Sequence, residues 1–75
     1  MDEKTRDQLF HEMVDQHGAA LRRLSGAYER NPALKSELEQ EILVNLWRSL
    51  PTFRGEGSLR AWMYRVAHNT ATRHV

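Results

Sequence analysis

Apolar residues at Phe10, Met13, Val14, Leu21, Leu24 and Tyr28 are spaced near three, four and seven positions apart, which gathers them on one face of an α-helix. The pattern predicts a first helix from about Thr5 to Glu29. Gly18 interrupts its middle and costs about 1 kcal/mol relative to alanine, so a kink or a break is anticipated there. Asn31-Pro32 ends this helix, because a residue before proline is pushed out of the helical region and proline suits the first turn of the next helix. Leu34, Leu38, Ile42, Leu46 and Leu50 then recur every four residues with Leu43 and Trp47 beside them, predicting a second amphipathic helix from about Pro32 to Leu50 that Pro51 closes. Thr52-Phe53-Arg54-Gly55-Glu56-Gly57 reads as a loop with two glycines, and Ser58 as the N-cap of a third helix. Leu59, Trp62, Met63, Val66, Ala67 and Thr70 make the buried face of that helix. With no strand-like alternation and no internal repeat, the expected fold is all-α, a compact three-helix bundle.

Seventy-five residues suffice for one small domain with a modest core. Cysteine is absent, so neither a disulfide nor a thiolate metal site supplements that core, and a reducing cytoplasm is the expected setting. The start Met1-Asp2-Glu3-Lys4-Thr5-Arg6-Asp7 is too charged for a signal peptide, and no apolar run approaches the ~20 residues of a membrane span, so no membrane insertion is expected. The chain stops at Arg73-His74-Val75 without a C-cap or a glycine, and reads as a piece of a longer protein.

Net charge is only +1, but it is unevenly distributed. Met1 to Asn45 carries six Lys/Arg against nine Asp/Glu, net −3, whereas from Leu46 onward Arg48, Arg54, Arg60, Arg65 and Arg73 face only Glu56, net +4. Opposite fields of this kind would steer two different partners, one basic and one rich in phosphate. Scattered solvating charge is the alternative at this point.

The four histidines, His11, His17, His68 and His74, lack the spacing with carboxylates that a metal or catalytic constellation requires. No catalytic residue, metal or cofactor is expected, and Gly55-Glu56-Gly57 lacks the lysine and preceding strand of a phosphate-binding loop. Phe53 and Arg54, followed on the third helix by Arg60, Trp62, Tyr64, Arg65, His68, Asn69 and Arg73, form a different pattern. Cations interleaved with aromatic rings suit single-stranded nucleic acid, whose backbone they hold and whose unstacked bases they receive at roughly 1–3 kcal/mol each. Asn69 adds a paired donor and acceptor for a base edge. Trp62 lies on the apolar stripe and reads as core; Tyr64 lies off it and suits either role.

The run from Glu37 through Gln40-Glu41 and an aliphatic helix to Phe53-Arg54-Gly55-Glu56 resembles a stretch of the extracytoplasmic-function sigma factors. There an acidic residue, a hydrophobic one and any residue precede Gln-Glu, and the helix leads to Phe-Arg-Gly. Trp62-Met63-Tyr64-Arg65-Val66-Ala67-His68-Asn69 is similar to the Trp-Leu-Tyr-Arg-Ile-Ala-x-Asn signature of the same family. The resemblance covers about Phe10 to Val75 and identifies residues 1–75 as a region 2 domain of the sigma-70 type. It implies a non-enzymatic module that docks on RNA polymerase and recognises, and helps melt, the promoter minus-ten element. Glu37, Gln40 and Glu41, with Leu38 as packing neighbour, would meet the clamp helices of the largest polymerase subunit, where charge-assisted hydrogen bonds fix register. The loop Thr52–Gly57 would capture a flipped base of the non-template strand. Phe53, Arg54, Gly55 and Glu56 would stand at that pocket and Asn69 on its helical wall. Arg60, Tyr64, Arg65, His68 and Arg73 would line the path of the DNA. An anti-sigma factor is a further partner that the resemblance implies.

Two departures accompany the match. The acidic pair ahead of Gln40-Glu41 is reduced to Glu37 behind Ser36, and the chain ends where family members continue with further basic residues and a separate domain for the minus-thirty-five element. Promoter affinity and specificity are therefore expected to be incomplete. A module that binds only protein, such as an anti-sigma factor, stays open beside the bridging role. A helix-turn-helix duplex binder is disfavoured because the connection between the second and third helices exceeds the usual three or four residues.

Overall fold

The computed structural model describes residues 1–74, in which three α-helices, α1 (Glu3–Tyr28), α2 (Pro32–Ser49) and α3 (Leu59–His74), form the expected all-α bundle. A 3₁₀ turn, Leu50–Thr52, follows α2.

Each helix begins where the chain supplies a cap. The Asp2 carboxylate accepts from the Thr5 N–H at 2.9 Å, and the Thr5 side chain together with this N–H holds its pKa below the usual value. It starts α1 two residues before the anticipated Thr5, in a stretch without the apolar periodicity from which that start was drawn. Asn31 Oδ1 accepts from Ala33 and Leu34, with Pro32 preset in the first turn of α2. Ser58 Oγ accepts from the Ala61 N–H at 3.0 Å and so caps α3 as anticipated. Pro51, which has no N–H, cannot extend the α2 ladder, and the chain tightens into the 3₁₀ turn, closed by Phe53 N–H to Leu50 O and by Thr52 Oγ1 to Ser49 O.

α1 runs without a break through Gly18. A Cβ at Gly18 would meet Arg22 Nη1 at 3.5 Å and Val14 Cγ1 at 3.8 Å, ordinary contacts. Packing against α2 holds the helix together there in spite of the local propensity.

Leu38, Ile42, Leu46 and Leu50 are all fully buried and form the central stripe of the core, joined by Met13, Leu21 and Leu24 of α1 and by Trp62, Met63, Ala67 and Ala71 of α3. Leu34, anticipated on this stripe, is 41% exposed: it sits in the first turn of α2, one turn beyond the end of the buried row. Two buried hydroxyls are satisfied within their own helices, Ser25 Oγ by Leu21 O and Thr70 Oγ1 by Val66 O. At the N-terminal end of α1, Phe10 meets Trp47 edge-on and the Arg6 guanidinium lies 3.9 Å from the centre of the Trp47 ring, closing the α1–α2 seam.

The antiparallel α2–α3 contact has a fixed register. Glu41 meets His74, Asn45 meets Thr70, Ser49 and Val66 line one recess, and Phe53, just past the 3₁₀ turn, packs on Trp62 with ring centroids 5.6 Å apart. Each step of four residues forward from α2 is thus answered by four residues back along α3.

Gly18→Ala is expected to raise stability by about 1 kcal/mol, because alanine gains helix propensity and its Cβ fits the available space. Ile42→Ala is expected to cost roughly 2–5 kcal/mol. Urea unfolding followed by circular dichroism checks both; a destabilised Gly18→Ala would mean that this contact needs a closer approach than the one described.

Candidate functional site

The loop after the 3₁₀ turn is shaped by two glycines in the left-handed region, Gly55 at φ 78° and Gly57 at φ 73°, each with open space where a Cβ would stand. Glycine is needed here for backbone conformation rather than for room. The turn brings Phe53 onto Trp62, leaving Phe53 half-buried and Arg54 to Ser58 exposed. Thr52, Phe53, Arg54, Glu56, Trp62 and Arg65 surround an open recess of about 260 Å³. An aromatic wall, two guanidinium donors and one carboxylate acceptor suit a flat polar ring.

On α3 the anticipated residues separate into two rows with a spacing of one turn. The first is Arg60, Tyr64 and His68. Here the Arg60 guanidinium lies 5.2 Å from the Tyr64 ring centre, and His68 Nδ1 is 2.9 Å from the Tyr28 hydroxyl of α1. Tyr64 is half-buried against the core, so this row is partly committed to the fold. The second row, Arg65, Asn69 and Arg73, is exposed, and none of the three makes a side-chain hydrogen bond or ion pair among the described residues.

Asn69 is not on the wall of the Phe53 recess. It lies one turn beyond Arg65 and lines a second open recess of about 260 Å³ with Asn45, Ser49, Val66, Thr70 and Arg73. The two recesses lie along one edge of α3. The α2 wall of the second, Asn45 and Ser49, went unassigned in the sequence because it depends on which turn of α2 meets α3.

Glu37, Gln40 and Glu41 are exposed and share a groove of about 490 Å³ with Val44, Asn45, Arg48 and His74. Leu38 does not belong to this surface: it is fully buried and supports the acidic turn from inside. Val44, 45% exposed, supplies an apolar patch amid the polar groups. The imidazole of His74 sits between two carboxylates, Nδ1 at 3.1 Å from Glu41 Oε2 and Nε2 at 3.9 Å from Glu29 Oε2. Arg48 and His74 both stand in the acidic groove, so the division of charge by sequence halves is not a division by surface. Among the described residues no group of His, Asp or Glu is arranged to hold a metal ion, and no helix is long and apolar enough to cross a membrane.

Residues 13–75 match the family described as Sigma-70 region 2. The RNA polymerase sigma-H factor of Pseudomonas aeruginosa is 38% identical over 39 residues, which cover 52% of this chain and 20% of that protein. The ECF RNA polymerase sigma-E factor of Haemophilus influenzae is likewise 38% identical over 39 residues, 52% of this chain and 21% of the relative. The ECF RNA polymerase sigma factor SigG of Mycobacterium tuberculosis is 44% identical over 34 residues, 45% of this chain and 9% of the relative. The aligned stretch thus spans about a fifth of these curated relatives or less. No solved structure matches the chain. With a helical bundle of this architecture and a match over residues 13–75, the chain belongs to the sigma-70 region 2 family, and extracytoplasmic-function sigma factors are among the relatives it resembles.

Proposed function

We propose that residues 1–75 act as the region 2 domain of an extracytoplasmic-function sigma factor, docking on the core RNA polymerase and taking up the unpaired non-template strand of the minus-ten element during transcription initiation. The observation that carries this reading is the exposed row Arg65, Asn69 and Arg73, without intramolecular partners among the described residues and continuous with the recess of Phe53, Arg54 and Glu56. In a chain with nearly as many acids as bases, unpaired cations aligned on one helix edge are free for an external polyanion.

In this reading Phe53 and the Arg54 and Arg65 guanidiniums receive a base that has left the stack, with Gly55 giving the loop its course and Glu56 accepting from the base edge. Asn69 reads a neighbouring base, and Arg60 and Arg73 hold phosphates. Tyr64 supports Arg60, and His68 anchors α3 to α1. No bond is made or broken. Affinity for the single strand in preference to the duplex moves the duplex equilibrium toward melting, by an amount set by the difference between the two affinities. Glu37, Gln40 and Glu41 meet the clamp helices of the largest polymerase subunit, which would require a basic partner face. An anti-sigma factor competing for the same groove, and a cytoplasmic location, are part of the proposal.

Docking is tested by titrating the domain with the isolated clamp-helix segment of the largest polymerase subunit. Saturable binding that Glu41→Lys abolishes is expected; equal binding by this variant removes the docking face. Phe53→Ala and Asn69→Ala are each expected to cost about 1–3 kcal/mol in affinity for a minus-ten single strand with helical content retained, measured by fluorescence anisotropy. Arg60→Ala should weaken all strands alike and flatten the log–log salt slope by about 0.7, one phosphate contact on a single strand. A loss confined to one sequence would exclude the backbone role of Arg60.

A further inference from the structure

Asn45 Nδ2 donates to Thr70 Oγ1 at 3.0 Å, in a part-buried position between α2 and α3. Thr70 is 6% exposed, and its hydroxyl donates in turn to Val66 O at 2.8 Å, so its single proton is used within α3 and its lone pair is what Asn45 takes up. The other polar side-chain link between these helices among the described residues is Glu41 to His74, close to the C-terminal end of α3. Asn45 also belongs to two surfaces, the acidic groove with Glu37, Gln40 and Glu41 and the recess that holds Asn69 and Arg73.

The apolar contact alone specifies the α2–α3 register weakly. Leu38, Ile42, Leu46 and Leu50 repeat every four residues, as do Met63, Ala67 and Ala71. A slip by one turn, about 5.4 Å, would therefore still set apolar against apolar. A slip in one direction would leave Asn45 opposite Val66, its amide donor facing a carbon chain; a slip in the other would set it opposite His74 and break the contact of that ring with Glu41. A half-buried asparagine that loses its hydroxyl acceptor penalises the slipped register, as a single polar residue does in a helical seam.

We infer that the Asn45–Thr70 hydrogen bond locks the register of α3 against α2, and that Asn45 is a positioning residue setting Asn69 and its recess for base recognition. This rests on the proposed uptake of a single strand. Asn69 adjoins Thr70 in sequence, so the orientation of the Thr70 turn is also that of Asn69. The bond acts through this placement and not through contact with the base.

The probe is a single-stranded DNA selected on the unaltered protein from a random pool, paired with the same strand carrying the one base change that the protein tolerates least. The readout is the ratio of the two affinities, together with helical content. Asn69→Ala serves as reference. Asn45→Ala is expected to lower the ratio at least fivefold with helical content unchanged. Thr70→Val should do the same, and the double variant should lose no more than either single change. Asn45→Leu, of similar size but with neither donor nor acceptor, should also lose the ratio and covers the case in which alanine destabilises the fold. An unchanged ratio in Asn45→Leu beside a lost one in Asn69→Ala overturns the positioning role and leaves the strand-binding proposal standing. Additive losses in the double variant overturn it as well. A protein that selects no strand from the pool removes the strand-binding proposal and this inference together.

Discussion

Complete burial of Leu38, Ile42, Leu46 and Leu50 is the constraint on which the remaining geometry hangs. A single leucine-rich stripe cannot be covered by one neighbour, and α1 and α3 close on it from two sides, with Met13, Leu21 and Leu24 on one and Met63, Ala67 and Ala71 on the other. The small Ala67 and Ala71 side chains let α3 approach α2 closely, which brings short polar side chains such as Asn45 and Thr70 within hydrogen-bond reach. Leu50 ends the stripe immediately before Pro51, so the turn that carries Phe53 is anchored in the core on one side and packed on Trp62 on the other. The loop therefore projects from a fixed base although its own residues are exposed, the arrangement that a rigid binding site requires.

α2 presents three different faces at once, and 3.6-residue periodicity explains how. Its inner stripe is core, its outer turn offers Glu37, Gln40 and Glu41, and its flank toward α3 offers Asn45 and Ser49 to the Asn69 recess. The proposed protein-facing and strand-facing surfaces are consequently adjacent strips of one helix pair. Arg48 and His74 in the acidic groove show the same crowding of opposite charge, since a domain of this size has too little surface to segregate its fields completely.

Features governed by neighbours along the chain are legible in the amino-acid pattern itself. The caps Asn31 and Ser58, the stop at Pro51 and nearly all of the core follow from local rules, and Gly55 and Gly57 adopt the positive φ that glycines in a loop suggest. The errors arise where a local rule meets the end or depth of the bundle. Leu34 obeys the period yet lies past the buried row. Leu38, grouped with its acidic neighbours as a docking residue, is buried as its place on the apolar stripe requires. Gly18 weakens the local helix but is carried by packing. The candidate site shows its residue types in the amino-acid pattern but not their grouping. Tyr28 with His68, Asn45 with Thr70 and Glu41 with His74 are separated by 40, 25 and 33 residues, and only the helix register decides such pairs. That register also moves Asn69 out of the Phe53 recess and into its own.

The two rows on α3 divide stiffness from availability. Arg60, Tyr64 and His68 spend part of their chemistry on each other and on Tyr28, which stiffens the helix against α1. Arg65, Asn69 and Arg73 remain without partners among the described residues, although the chain holds ten acidic residues that could have neutralised the two arginines. Exposed ion pairs contribute little to stability, so leaving the arginines unpaired costs the fold almost nothing. It leaves them available to an anionic ligand, with no ion pair among the described residues to break on binding. A helix held by one edge and left open along the next presents its open edge on a backbone already ordered, so that only the side chains still have freedom to lose in the proposed capture of a single strand.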